Sequence, residues 1–269
     1  MSARVLSSLK SPDLAGIGDN TVAILPLGAT EQHGPHLPLG TDFLIAGAVV
    51  AHALRKIPET VDAIALPALP LGASMEHQGF AGTVSLSYKV LHDLLVEIGG
   101  SLADSGIRRL LFLNAHGGNV GTLLNVTMEL RARRGILAVA TNAGRFGEPE
   151  GLIAPEARAL DIHGGFLETS LMLAIRPELV DMDKAEDFSS RQSMHLEEDR
   201  YLRAYGPVGY GWLAGDLNPK GAMGHAGAAT KEAGRAILDH QAGELARLIG
   251  EIAAMDITGF APLGADKTP

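Results

Sequence analysis

The sequence predicts an α/β fold, a mostly parallel sheet covered by helices on both faces. Short apolar runs alternate with longer amphipathic stretches, which implies crossover connections between parallel strands. Of 269 residues, 46% are hydrophobic, enough to bury a sizeable core. No linker and no internal repeat interrupts the chain, so residues 1–269 read as one domain.

The elements follow in order. Residues 21–27 (Thr-Val-Ala-Ile-Leu-Pro-Leu) form a buried strand ended by Pro26 and Gly28. Residues 43–56 are expected to be helical, closed by Pro58, and residues 63–66 give a second strand. Leu91, Leu94, Leu95, Ile98 and Leu102 keep helical spacing across 87–105, and Ser87 suits the N-cap. Residues 109–113 (Arg-Leu-Leu-Phe-Leu) make a third strand, 120–134 a helix and 137–141 a fourth strand. A last helix over 231–255 carries Ile237, Leu245, Leu248 and Ile252 on one face.

Composition excludes several functions. A formal charge of -9, from 22 basic and 31 acidic residues, argues against nucleic-acid or anionic-membrane surfaces. Without cysteine there is no disulfide, thiolate ligand or cysteine nucleophile. The N-terminal residues lack the apolar stretch of a signal peptide, and no run approaches a membrane span. The expectation is a soluble, cytoplasmic protein. No Gly-x-Ser-x-Gly elbow, phosphate-binding Gly-Lys-Ser loop or dinucleotide fingerprint is present.

The chemistry concentrates in four segments. Residues 27–42 (Leu-Gly-Ala-Thr-Glu-Gln-His-Gly-Pro-His-Leu-Pro-Leu-Gly-Thr-Asp) place Glu31, His33, His36 and Asp42 in one loop rich in Gly and Pro. Mixed carboxylate and imidazole donors suit a borderline divalent metal. The second segment is Asn114-Ala115-His116-Gly117-Gly118-Asn119, just past the third strand. There Gly117 and Gly118 leave room for a ligand and Asn119 can cap the next helix. In the third, His163-Gly164-Gly165-Phe166-Leu167-Glu168, the carboxylate is expected in the first turns of a helix. The fourth carries Glu76 and His77, read as pocket lining or support for the ligands. His52, His92, His195, His225 and His240 are read as surface or structural residues.

Ligands of open α/β sheets gather beyond the carboxyl ends of the strands, where the first two segments both arrive. Two metal ions need a bridging carboxylate and two or more further protein ligands each. They then hold a shared water whose pKa falls towards 7. Glu31, His33, Asp42, His116 and Glu168 match that requirement, leaving His163 to move a proton onto a leaving nitrogen.

At these residues the chain resembles the creatininase family of metal-dependent amidohydrolases. The likeness rests on the 27–42 motif, Glu-His-x-x-Phe-x-Gly-Thr, Asn-x-His-Gly-Gly-Asn and His-Gly-Gly-x-x-Glu-Thr-Ser, in that order. It implies a three-layer α/β/α domain, commonly hexameric, with two divalent ions (zinc, manganese or iron) per chain. It implies Glu31, Asp42 and His116 on one ion and His33, Asp42 and Glu168 on the other, with His163 as proton shuttle. Creatininases follow the second-motif His with an aromatic residue and a Glu, and wall their substrate with tryptophans. Here Gly117 and Gly118 stand in those positions and Trp212 is the single tryptophan.

The Gly-Gly form is similar to other branches: a peptidase of the mycofactocin precursor, a formamidopyrimidine nucleotide deformylase, and ring-opening hydrolases of cyclic keto sugars or inositol derivatives. The leading expectation is hydrolysis of a C–N bond, cyclic amide or formamide, in a small molecule. Cleavage of a short peptide is the first alternative, and a metal-binding α/β protein without catalysis the non-enzymatic one. Residues 205–216 are expected to help set the substrate.

Overall fold

The structure is a computed structural model that describes residues 4–265 of the chain. Five parallel strands form the main sheet: β1 (Arg4–Val5), β2 (Val22–Leu27), β3 (Ala63–Ala65), β4 (Arg109–Asn114) and β5 (Leu137–Asn142), in the order β1-β3-β2-β4-β5. β2 and β4 pair along their whole length, from Val22 opposite Arg109 to Leu27 opposite Asn114. Both are buried on both faces, which is why each reads as a nearly continuous apolar run.

Alternation along these strands builds two cores. Val22, Ile24, Leu111 and Leu113 face helices α1 (Thr41–Ala53), α5 (Phe166–Ile175) and α8 (Lys231–Ala254). Ala23, Leu25, Leu27, Leu110 and Phe112 face α2 (Tyr88–Asp104) and α3 (Val120–Arg134). The result is three layers, helices on either side of the sheet. Ser87 caps α2, its side chain accepting the Val90 N–H at 3.3 Å. None of the helices in the described residues is long and apolar enough to cross a membrane.

One boundary differs in a way that matters. Helix α1 begins at Thr41 instead of residue 43, so Asp42 stands in a first helical turn and not in the loop. Thr41 Oγ1 donates to the Pro38 carbonyl at 2.8 Å, closing the turn that starts the helix. A carboxylate is favoured at that end by the helix dipole. The helix also stops at Ala53, and residues 54–56 form a turn before Pro58.

Between β5 and α8 the chain makes a long excursion whose short elements carry little periodicity. It holds α4 (Pro155–Leu160), α5, α6 (Gln192–Glu198) and α7 (Ala214–Leu217), with β6 (Asp187–Phe188) and β7 (Gly224–His225) paired antiparallel. The sheet order reverses direction at β2, which feeds β3 on one side and lies beside β4 on the other. A crevice forms at the carboxyl ends of such strands.

Helices α5 and α8 cross closely because Gly234 has no side chain. A Cβ built there would sit 1.7 Å from the Ser170 carbonyl oxygen. Gly to Ala within an isolated helix stabilises by roughly 1 kcal/mol. Here the clash reverses the sign: Gly234→Ala is expected to destabilise the fold by about 2 kcal/mol or more, read by urea unfolding. Unchanged or increased stability would show that the two helices can separate freely.

Candidate metal centre

The loop after β2 supplies Glu31 and His33, the first turn of α1 supplies Asp42, and the segment after β4 supplies His116. The loop is held by Glu31 N–H donating to the Leu39 carbonyl at 2.9 Å and Gln32 N–H donating to Thr83 Oγ1 at 3.1 Å. Asp161 accepts the Phe166 and Leu167 N–H groups at 2.6 and 3.0 Å, ordering the start of α5. Glu168 lies in that first turn, its Oε2 accepting the Gly164 N–H at 2.6 Å.

These donors converge. His33 Nε2 lies 3.0 Å from Asp42 Oδ1, 3.8 Å from Glu168 Oε2 and 3.9 Å from Glu31 Oε1. His116 Nδ1 lies 3.1 Å from Glu31 Oε1 and 3.3 Å from Asp42 Oδ2. Two clusters able to hold a metal ion share Asp42: Glu31, Asp42 and His116, and His33, Asp42 and Glu168. A third combines Glu31 and His33 with His163. The donor atoms of each lie within 4.8 Å of one another.

The outer nitrogen of each imidazole faces a main-chain carbonyl, which can only accept. His33 Nδ1 is 3.1 Å from the Glu31 carbonyl, His116 Nε2 is 2.8 Å from that of Ala73, and His163 Nε2 is 2.7 Å from that of Gln32. Each outer nitrogen therefore carries the proton. The inner nitrogens, His33 Nε2, His116 Nδ1 and His163 Nδ1, face the carboxylates. Metal-ligating histidines are oriented in this way by their second nitrogen.

The carboxylates tell the same story. Both Glu31 oxygens and Asp42 Oδ2 are buried without a hydrogen-bond partner among the described residues. Such groups are costly unless a cation stands beside them. Among protein groups alone, the histidines supply it. Burial opposes the charge on His33, yet Asp42, Glu168 and Glu31 outweigh it and push its pKa up to about 10. His116 is likewise raised well above its ordinary value, burial being overcome by Glu31 and Asp42. Asp42, against the effect of burial, is held far below the carboxylate range by His33 and His116. Burial pushes Glu168 up to about 7 and Glu31 upward too. A divalent cation would take the place of the two imidazolium charges, so the residues present fit such an ion.

The remaining candidates divide. His163 is buried, with Nδ1 3.7 Å from Glu31 Oε1, and its ring stacks between His33 and His77, with centroids 4.2 Å from each. Burial, then the charges of His33 and His77, depress its pKa well below the ordinary value. His77 accepts from Gln32 Nε2 at 2.7 Å and keeps Nε2 3.6 Å from Glu31 Oε1. Glu76 stands behind the site, 3.7 Å from His116 Nε2. His36 turns away, bonded to Thr169 Oγ1 at 2.9 Å and stacked on Phe188. His52, His92, His195, His225 and His240 lie outside the three clusters.

Two expectations in the second segment need correction. Asn119 does not cap α3 with its side chain. It is buried, accepting the Ala73 N–H at 2.9 Å and donating to the Gly28 carbonyl and Asn114 Oδ1 at 3.0 Å, so it ties three loops together. Gly117 faces open space, but Gly118 makes room for protein: a Cβ there would lie 2.2 Å from the Ala73 carbonyl oxygen. That carbonyl is the one that orients His116.

Sequence reasoning also passed over Gln32 and Asp161. Gln32 Nε2 donates to His77 and to the Gly221 carbonyl at 2.9 Å, while its Oε1 accepts the Gly34 N–H. Its place between Glu31 and His33 was the available signal. Asp161 sits too far ahead of α5 to show the usual capping spacing. Burial raises its pKa to about 6.

The carboxylates and His163 line a cavity of about 130 Å³ that runs on between Ile45, Leu167 and Leu171 to Asn142, Arg158, Tyr205 and Gln241. Within the 205–216 segment, Tyr205 reaches this cavity and Trp212 sets its ring edge-on to His77, with centroids 6.4 Å apart.

Comparison with known proteins gives this geometry a context. The family model described as creatininase, creatinine amidohydrolase, matches residues 7–249. A mycofactocin precursor peptide peptidase of Mycolicibacterium smegmatis is 39% identical over 165 residues, which are 61% of this chain and 61% of that protein. The match thus spans about three fifths of this relative's length. A creatinine amidohydrolase structure from Bacteroides fragilis superposes with a TM-score of 0.74 at 28% identity, covering 94% of this chain and 97% of the other. A structure described as manganese creatininase gives a TM-score of 0.73 at 26% identity, covering 94% and 100%. With its family match running almost end to end over a shared fold, this chain belongs to the creatininase family.

Proposed function

We propose that this chain is a metal-dependent hydrolase that cleaves a C–N amide bond in a small molecule, such as a cyclic amide or formamide. One observation carries the reading: unpartnered buried oxygens of Glu31 and Asp42 face imidazole nitrogens that main-chain carbonyls turn inward. Glu31, Asp42 and His116 would hold one divalent ion, and His33, Asp42 and Glu168 a second, with Asp42 shared. Manganese is supported by the manganese creatininase that shares the fold; zinc and iron fit the same donors. Bound there, the ions would supply Lewis acidity and acidify water.

The chain's own residues do the rest. His163, with its proton on Nε2 and its lone pair on Nδ1, would accept a proton from water and return it to the departing nitrogen. The water oxygen joins the carbonyl carbon, the C–N bond breaks, and the nitrogen leaves protonated. Burial raises the Glu168 carboxyl to about 7 with protein groups alone, and a bound divalent ion would hold it as the carboxylate. Ile45, Leu167 and Leu171 limit water in the cavity.

A second reading, cleavage of an amide in a short peptide, is favoured by the likeness to the mycofactocin precursor peptidase. Assay of metal-loaded protein against creatinine, formamides and a peptide panel separates the two. Turnover of none of them would reject both.

Replacing His33 or Asp42 with Ala is expected to remove about one or more metal equivalents per chain, counted by elemental analysis. Unchanged stoichiometry would reject the ligand assignment. His163→Asn is expected to retain metal while turnover falls by about a hundredfold or more. Metal loss in that variant would make His163 a ligand and not a proton carrier.

A further inference from the structure

The part of the cavity wall that holds no metal-ligand candidate has chemistry of its own. Arg158, on α4, is the one lysine or arginine on its wall among the described residues. Its Nε lies 3.4 Å from Glu148 Oε1, and its Nη1 donates to the Asp161 carbonyl at 3.3 Å. The ion pair and the hydrogen bond orient the guanidinium, and the hydrogen bond uses one of its five N–H donors. No hydrogen bond from the described residues engages Nη2. Gln241, from α8, lines the same cavity; it is 4% exposed, its Oε1 has no partner among the described residues and its Nε2 donates to the Gly147 carbonyl at 3.3 Å. A buried amide oxygen without a donor carries a desolvation cost that a ligand N–H would relieve.

We propose that Arg158 and Gln241 form an anion-binding subsite for a substrate whose scissile amide nitrogen belongs to an amino acid with a free carboxylate. The guanidinium fork matches a carboxylate, and the glutamine oxygen accepts a neighbouring N–H. Ile45, Leu167 and Leu171 on the same wall offer an apolar surface to the side chain of that amino acid. N-acyl amino acids and the carboxyl-terminal residue of a short peptide share this chemistry. The proposal rests on the hydrolase reading above and narrows its substrate class.

The test uses metal-loaded protein and a matched pair with no amide or ester to hydrolyse, an N-methylsulfonyl aliphatic amino acid and the corresponding N-methylsulfonyl amino alcohol, in which a neutral hydroxymethyl group replaces the carboxylate. Calorimetry is expected to show the acid binding about tenfold or more tighter than the alcohol, roughly 1.4 kcal/mol. Arg158→Gln is expected to bring the two affinities together, and Arg158→Lys to keep part of the preference. Equal binding of the pair by the native protein, or no binding of the acid in the millimolar range, would overturn the subsite. So would a preference that survives Arg158→Gln, because the carboxylate would then sit on the metal ions. Hydrolysis is read separately with N-formyl and dipeptide analogues of the same amino acid. Preference for the acid without turnover of either analogue would uphold the subsite and reject the hydrolase reading, and the two analogues separate a free acylamino acid from a peptide end.

Discussion

Two buried carboxylates without adequate partners, held where neighbouring parallel strands end, are the constraint on which the rest of the structure depends. Glu31 and Asp42 are excluded from water, and carboxylates so placed need positive charge in contact. The imidazoles of His33 and His116 supply it when protonated, and on losing those protons their inward nitrogens could yield the task to cations. In either state the loops that carry these four residues are locked together, since displacing one would strand charge in the interior.

The lock is built largely from main chain. Carbonyls of Glu31, Ala73 and Gln32 each hold one imidazole by its outer nitrogen, which sets the tautomer and the ring plane together. Those carbonyls need their own support. Asn119 anchors the Ala73 peptide through its N–H, and Gly118 leaves the space into which the Ala73 oxygen points. On the other side Asp161 orders the first turn of α5, and the bare backbone of Gly234 lets α8 press against that helix. Glu168 inherits its position from both.

The two parts of the cavity wall differ in origin. The ligand candidates come from the loops after β2 and β4 and from the first turns of α1 and α5, against the central scaffold. Of the remaining wall, Arg158 and Tyr205 come from the irregular excursion before α8, and Gln241 from α8 itself. Loop segments mounted on a fixed sheet are the part of a fold that can differ between proteins of different substrate.

Much was legible in the amino-acid order alone. Periodicity placed β2, α2, β4, α3, β5 and α8 within one or two residues, because strand and helix formation depend on neighbours a few positions apart. The donor-rich motifs stood out for a similar reason, since metal chemistry demands particular residue types on irregular backbone. The tertiary structure alone decided the rest. Asp42 belongs to a helix because Thr41 closes a turn onto Pro38, and Asn119 serves three loops instead of one helix end. Gln32 reaches Gly221, and Arg158 and Gln241 line one cavity, neither of which any local pattern encodes. Such roles arise from where the chain passes after folding, and residues far apart in order become neighbours only when the sheet and its helices have set that path.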